Sequence, residues 1–92
     1  MNTTEATFRS DRHKSPKKYV VRELEFDELK SLHGRVKVLD RAGRIAEVKI
    51  TSVKSWKRRP LDLDIHCKYG LYDYFTVSVR NGEPDMTFVE VL

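Results

Sequence analysis

From Arg35 to Ile50 the polarity of this chain alternates with a period of two, a pattern no helix can satisfy. In "RVKVLD", Val36 and Val38 fall on one face and Arg35 and Lys37 on the other. In "IAEVKI", Ala46, Val48 and Ile50 share a face, with Glu47 and Lys49 opposite. Successive side chains of a strand point to opposite faces, whereas a helix groups residues three and four apart. The intervening "DRAGR" carries Gly43 and supplies a turn, so this stretch reads as a β-hairpin.

Beyond Ile50 the apolar parity slips, since Val53 is odd where Ile50 is even; a β-bulge near Thr51–Ser52 accounts for that. "LDLDIHC" then sets Leu61, Leu63, Ile65 and Cys67 on one side. "LYDYFTVSV" places Leu71, Phe75, Val77 and Val79 inward, "NGEP" is a turn, and "MTFVEVL" is the last strand. Upstream, Tyr19-Val20-Val21 suits a short strand. "FDELKSLHG" suits a helix of about two turns, with Asp27 as cap, Leu29 and Leu32 on one face and Gly34 just past its end. The expected fold class is mainly β: a small five-stranded antiparallel barrel with one short N-terminal helix, its bulged second strand turning the corner. A split sheet with the helix on one face is the alternative.

Ninety-two residues bound the chain to one domain. Residues 1–18 are polar, with Phe8 as the only large apolar side chain, and are expected to form a flexible, disordered basic tail ahead of a β domain at 19–92. That tail holds five cations (Arg9, Arg12, Lys14, Lys17, Lys18) against two acids, while residues 19–92 hold thirteen against twelve. Most of the net charge of +4 therefore belongs to the tail, and a binding face in the β domain must come from a local cluster. The lone Cys67 suits a reducing compartment. There is no apolar run of about 18 residues and no h-region near the N-terminus, so a cytoplasmic protein without membrane contact is expected.

Asp62, Asp64, His66 and Lys68 alternate along one strand face. They could ligate a cation, but no third carboxylate or Cys/His pair supports a metal, and pairing of the acids with Lys49, Lys54 or Arg58 suffices. Cys67 alternates with Leu63 and Ile65 as a small buried hydrophobe. His13 sits in the tail and His33 at the helix end, neither with an evident partner. No nucleophile elbow, P-loop or dinucleotide fingerprint occurs, so neither an enzyme nor a cofactor is expected.

The chemistry-bearing stretch is "SWKRRP". It joins the only tryptophan, Trp56, to Lys57, Arg58 and Arg59, with Lys54 just before. After the parity slip Trp56 can fall on either face. Pro60 interrupts pairing and is expected to leave Lys57–Arg59 in a loop. Tyr72 and Tyr74 share an outward face in "KYGLYDYF", where they can stack bases, anchor a protein, or simply cover the domain. The acids of "ELEFDE" are expected to attract the basic cluster across the fold.

The hairpin "GRVKVLDRAGRIAEVKI", residues 34–50, resembles the KOW-type segment of SH3-like barrels: alternating hydrophobics, Gly43, a small residue at Ala46, then Val48 and Ile50. Ala46 stands where that family usually has glycine, and Arg41-Ala42 depart from its usual turn. The resemblance implies a five-stranded SH3-like barrel among modules that bind RNA or proteins.

The expected function is a non-catalytic module binding nucleic acid, RNA or single strands. Trp56, Tyr72 and Tyr74 would stack bases, and Lys54, Lys57, Arg58, Arg59, Arg35 and Lys37, aided by the tail, would meet phosphates. The alternative is a protein-interaction module, monomeric or weakly dimeric, that docks a peptide or adds a strand at an exposed edge along Met86–Leu92.

Overall fold

The computed structural model describes residues 3–9 and 17–92. These form one open, curled antiparallel sheet of eight strands: β1 (Thr3–Ala6), β2 (Tyr19–Glu23), β3 (Gly34–Leu39), β4 (Ile45–Trp56), β5 (Arg59–Tyr69), β6 (Asp73–Arg80), β7 (Glu83–Pro84) and β8 (Phe88–Val91). The spatial order is β1-β2-β8-β3-β4-β5-β6-β7. A closed five-stranded barrel is therefore not what forms. The sheet stays open because β4, β5 and β6 extend as a long meander ending at β7, and the two edge strands β7 and β1 do not pair.

The hairpin of β3 and β4 is as the alternation requires, with Gly34 opposite Ile50 and Leu39 opposite Ile45. Its turn is built by Asp40. The Asp40 carbonyl accepts from Gly43 N at 2.9 Å, and its carboxylate accepts from the backbone N–H of Ala42 and Arg44, each at 2.9 Å. Gly43 has φ +76°, a left-handed conformation that side-chain-bearing residues adopt only at a cost. On β4 the register shifts between Ile50 and Ser52, so Thr51 is the extra residue of a β-bulge. The bulge returns Val53 to the core side, as the parity slip implied.

The expected disordered tail is corrected at its start. Thr3–Ala6 pairs with Tyr19–Arg22 from β2, and Ala6 is buried. Ile45 N donates to Thr7 O at 2.7 Å, which draws the end of β1 beside the start of β4. Backbone ladder bonds order this segment, and side-chain hydrophobicity carries no trace of them. Residues 10–16, with Arg12, His13 and Lys14, lie outside the described residues.

The expected two-turn helix is a single turn, α1 (Phe26–Leu29). Glu25, not Asp27, precedes its first turn, and the Glu28 carboxylate accepts from Glu25 N at 3.0 Å. Gly34 does not end the helix; at φ +68° it opens β3, paired with Ile50. Leu29 still plugs the main core, with Leu32 packed beside it.

Two cores occupy opposite faces. The larger gathers Leu29, Val38, Ala46, Val48, Ile50, Leu63, Ile65, Cys67, Val77, Val79 and Phe88; the smaller gathers Ala6, Val21, Ile45 and Val89. Strand β8 serves both, with Phe88 in one and Val89 in the other, as alternation requires. It lies between β2 and β3, so Met86–Leu92 is not an exposed edge. Arg22 fixes it there. Its guanidinium grips Glu28 at 2.8 and 2.9 Å and Glu90 at 2.9 Å. Two inward assignments also change: Leu61, where β5 is out of register with β4, is 47% exposed, and Leu71, in the turn between β5 and β6, is 75% exposed.

Candidate nucleic-acid interface

The face of β3–β6 opposite the main core carries Arg35, Lys37, Lys54, Trp56 and Tyr74. Cross-strand register arranges them in rows, because directly opposed residues share a face. At one end Trp56 pairs with Arg59 and has Arg80 beside its ring; next come Lys54, Asp64 and Ser78; then Ser52, His66 and Thr76; and at the far end Arg35, Lys49, Lys68 and Tyr74.

Trp56 is half-buried on this outer face. Arg59 Cζ lies 4.5 Å from its ring centroid, Lys54 Nζ 5.3 Å and Arg80 Cζ 5.6 Å. The indole is neither core nor bare: it is a platform clad by cations, each such contact contributing about 0.5–1 kcal/mol at an exposed site. Arg80 is fixed in turn, donating to the carbonyls of Leu63 (3.0 Å) and Val79 (2.9 Å) and to Asp64 (2.9 Å).

The basic loop is tighter than expected. Trp56 pairs with Arg59, so only Lys57 and Arg58 form the turn, and β5 already includes Arg59 and Pro60. Pro60 does interrupt the ladder, for pairing with β4 jumps from Arg59–Trp56 to Leu63–Ser55. Arg59 bonds to Asp62 at 3.7 Å. Lys57 and Arg58 are exposed and have no acidic partner among the described residues.

Tyr72 (86% exposed) and Tyr74 (67%) do not join this cluster. Tyr74 stands opposite Lys68, whose Nζ lies 5.5 Å from its ring. Lys49, in the tyrosine row, lies seven positions before Trp56 on the bulged β4, roughly 20 Å along the strand. The indole with its cations and the exposed tyrosines therefore lie in two separate areas. Arg35 sits 3.5 Å from Glu47, and Lys37 is half-buried opposite the same acid.

Of the tail cations described, Arg9 lies 3.4 Å from Asp40 and over Tyr69 at 5.1 Å, Lys18 is 3.9 Å from Glu5, and Lys17 lies over Tyr19 at 5.6 Å. They are engaged in the fold. Two acids of the α1 region pair locally instead of with the basic hairpin: Glu28 with Arg22 and Asp27 with Lys30.

The Asp62–Lys68 series resolves residue by residue. Asp62 takes Arg59 and the backbone N–H of Asn81 (3.0 Å), Asp64 takes Arg80, and His66 Nδ1 shares a 3.0 Å hydrogen bond with Thr76. The acids thus pair with cations, though with Arg59 and Arg80 instead of Lys49, Lys54 or Arg58. Among the described residues no group of three or more His, Cys, Asp or Glu side chains could hold a metal ion. His33 hydrogen-bonds to the nearby Ser31 carbonyl, at 3.1 Å. Burial pushes the Cys67 thiol up to about 11.

Sequence reasoning missed Arg80, Lys49 and Lys68. The lysines alternate with apolar neighbours like any solvated strand, and only the register shows that Lys49 and Lys68 are directly opposed. No protein-family model, curated protein or solved structure matches this chain.

Proposed function

We propose that this protein is a non-catalytic nucleic-acid-binding module that takes RNA or single strands across the outer face of β4–β6. The carrying observation is the β4–β5 hairpin tip, where Lys57 and Arg58 stand without acidic partners among the described residues and follow in the chain an indole clad by Lys54, Arg59 and Arg80. Unpaired cations on a rigid ribbon suit a phosphate backbone, and releasing its counterions supplies sequence-independent affinity. Stacking falls to the exposed Tyr72 and Tyr74, and the Trp56 ring organises the cations around it. The resemblance of residues 34–50 to a KOW-type hairpin supports the same reading.

The test is fluorescence anisotropy of a labelled oligouridylate over a salt series. Each lost phosphate contact on a single strand flattens the slope of log K against log salt by about 0.7, so Lys57→Gln with Arg58→Gln should flatten it by about 1.4. Unchanged affinity and slope in the double variant would sink the assignment. Protein docking is the second reading, favoured by Leu71, Tyr72 and Tyr74 standing exposed together beside the β5–β6 turn. No retention on heparin, with a stable dimer by light scattering, would favour it instead.

A further inference from the structure

The far row of the outer face poses an electrostatic problem that folding alone does not require. Arg35 opposes Lys49, and Lys49 opposes Lys68, so three cations lie side by side across β3, β4 and β5. Neighbouring strands stand about 4.8 Å apart, and like charges directly opposed on a sheet destabilise it. Arg35 has relief from Glu47 at 3.5 Å. Lys49 and Lys68 have no acidic partner among the described residues. These cations line a groove of about 470 Å³ that Glu47, Gly70 and Leu71 complete, with three positive charges facing one negative. Tyr74 continues the row on β6, its ring 5.5 Å from Lys68 Nζ.

We propose that Arg35, Lys49 and Lys68 form a phosphodiester seat, the second of two contacts for one single strand. The strand crosses the face from the hairpin tip at Trp56 to this row and stacks a base on Tyr74. The inference rests on the nucleic-acid reading above and adds the far contact, its residues and the path of the ligand. A phosphate between Lys49 and Lys68 removes the repulsion that their register creates. A base on Tyr74 lies beside that phosphate, in the next strand of the same row. Because the two contacts are roughly 20 Å apart, a ligand too short to span them gains from one only.

The experiment compares the wild type with Lys49→Gln/Lys68→Gln, using an oligouridylate of about 12 nucleotides and one of about three, within and below the usual span of single-strand-binding folds. Inorganic tripolyphosphate is a third probe. The double variant should lose roughly tenfold to a hundredfold affinity for the long oligomer at about 50 mM salt, with a slope flatter by about 1.4. It should melt at the same temperature as the wild type or higher, because a like-charge pair has gone, so lost binding is not lost folding. Tripolyphosphate should compete with the long oligomer for the wild type and much less for the variant. A wild type that binds the long oligomer while the variant matches it in affinity and slope overturns the seat and leaves the hairpin contact standing. Equal losses for both oligomers overturn the two-contact path. A wild type that binds no oligomer overturns the nucleic-acid reading and the seat with it.

Discussion

Phe88→Ala tests the placement of β8 at the centre of the sheet. Phe88 is 1% exposed, the largest fully buried side chain, and its strand pairs with both β2 and β3. Truncating a buried phenylalanine removes its transfer free energy and leaves a cavity, about 3–5 kcal/mol together. A domain of this size holds about 5–14 kcal/mol in all, so the variant should lose at least about a fifth of its stability. At about 4–8 °C per kcal/mol, the melting temperature should fall by at least about 12 °C. Urea denaturation followed by far-ultraviolet circular dichroism measures the loss. If Phe88→Ala does not fold, Phe88→Leu keeps most of the volume and should cost about 1–2 kcal/mol. Leu92→Ala is the internal control; its side chain is 61% exposed and should change stability by about 0.5 kcal/mol at most. An edge strand would behave otherwise. A loss below about 1.5 kcal/mol for Phe88→Ala, at an unchanged urea dependence, would refute the central position of β8.

The Arg22 guanidinium, then the Glu25 N–H, holds the Glu28 carboxyl down at about 2. A depressed carboxyl stabilises the fold above its unfolded value, near 4.5, and that contribution fades as pH falls towards about 2. Urea midpoints should therefore drop across that window, and Glu28→Gln should flatten the drop; an identical acid limb in the variant would contradict the Arg22 grip. Cys67 carries the opposite sign at the alkaline end. Burial raises its thiol from about 9 to about 11, so its contribution is complete below pH 9 and is lost as pH rises towards 11. Thiol reagents at pH 8 should label it only as urea opens the fold, and prompt labelling of the native protein would show that the site is not closed.

The sequence was most legible where side-chain parity speaks. Val38, Ala46, Val48 and Ile50 announced their strands, and the conflict between Ile50 and Val53 announced the bulge at Thr51. It was least legible where backbone pairing or distant register decides. Thr3–Ala6 has no apolar alternation, so nothing in its side chains marks β1. Met86–Leu92 reads as an edge strand from its side chains, yet β2 pairs along its outer side from about 70 positions away in sequence. The candidate site divides the same way. The cluster around Trp56 is local and was visible, because Lys54 and Arg59 lie within three residues of it. Arg80 beside that ring, and Lys49 against Lys68, are products of strand pairing across 24 and 19 positions, which no local pattern encodes.

The most direct measurement is the emission of Trp56, the only tryptophan, during titration with an oligouridylate at low salt. Cations surround a half-buried ring, so iodide should quench it more strongly than caesium before any ligand is added. Binding at the hairpin tip should then change the emission and protect the ring from iodide, and added salt should reverse both effects. Saturating oligouridylate that leaves emission and iodide quenching unmoved would contradict a nucleic-acid interface at this tip.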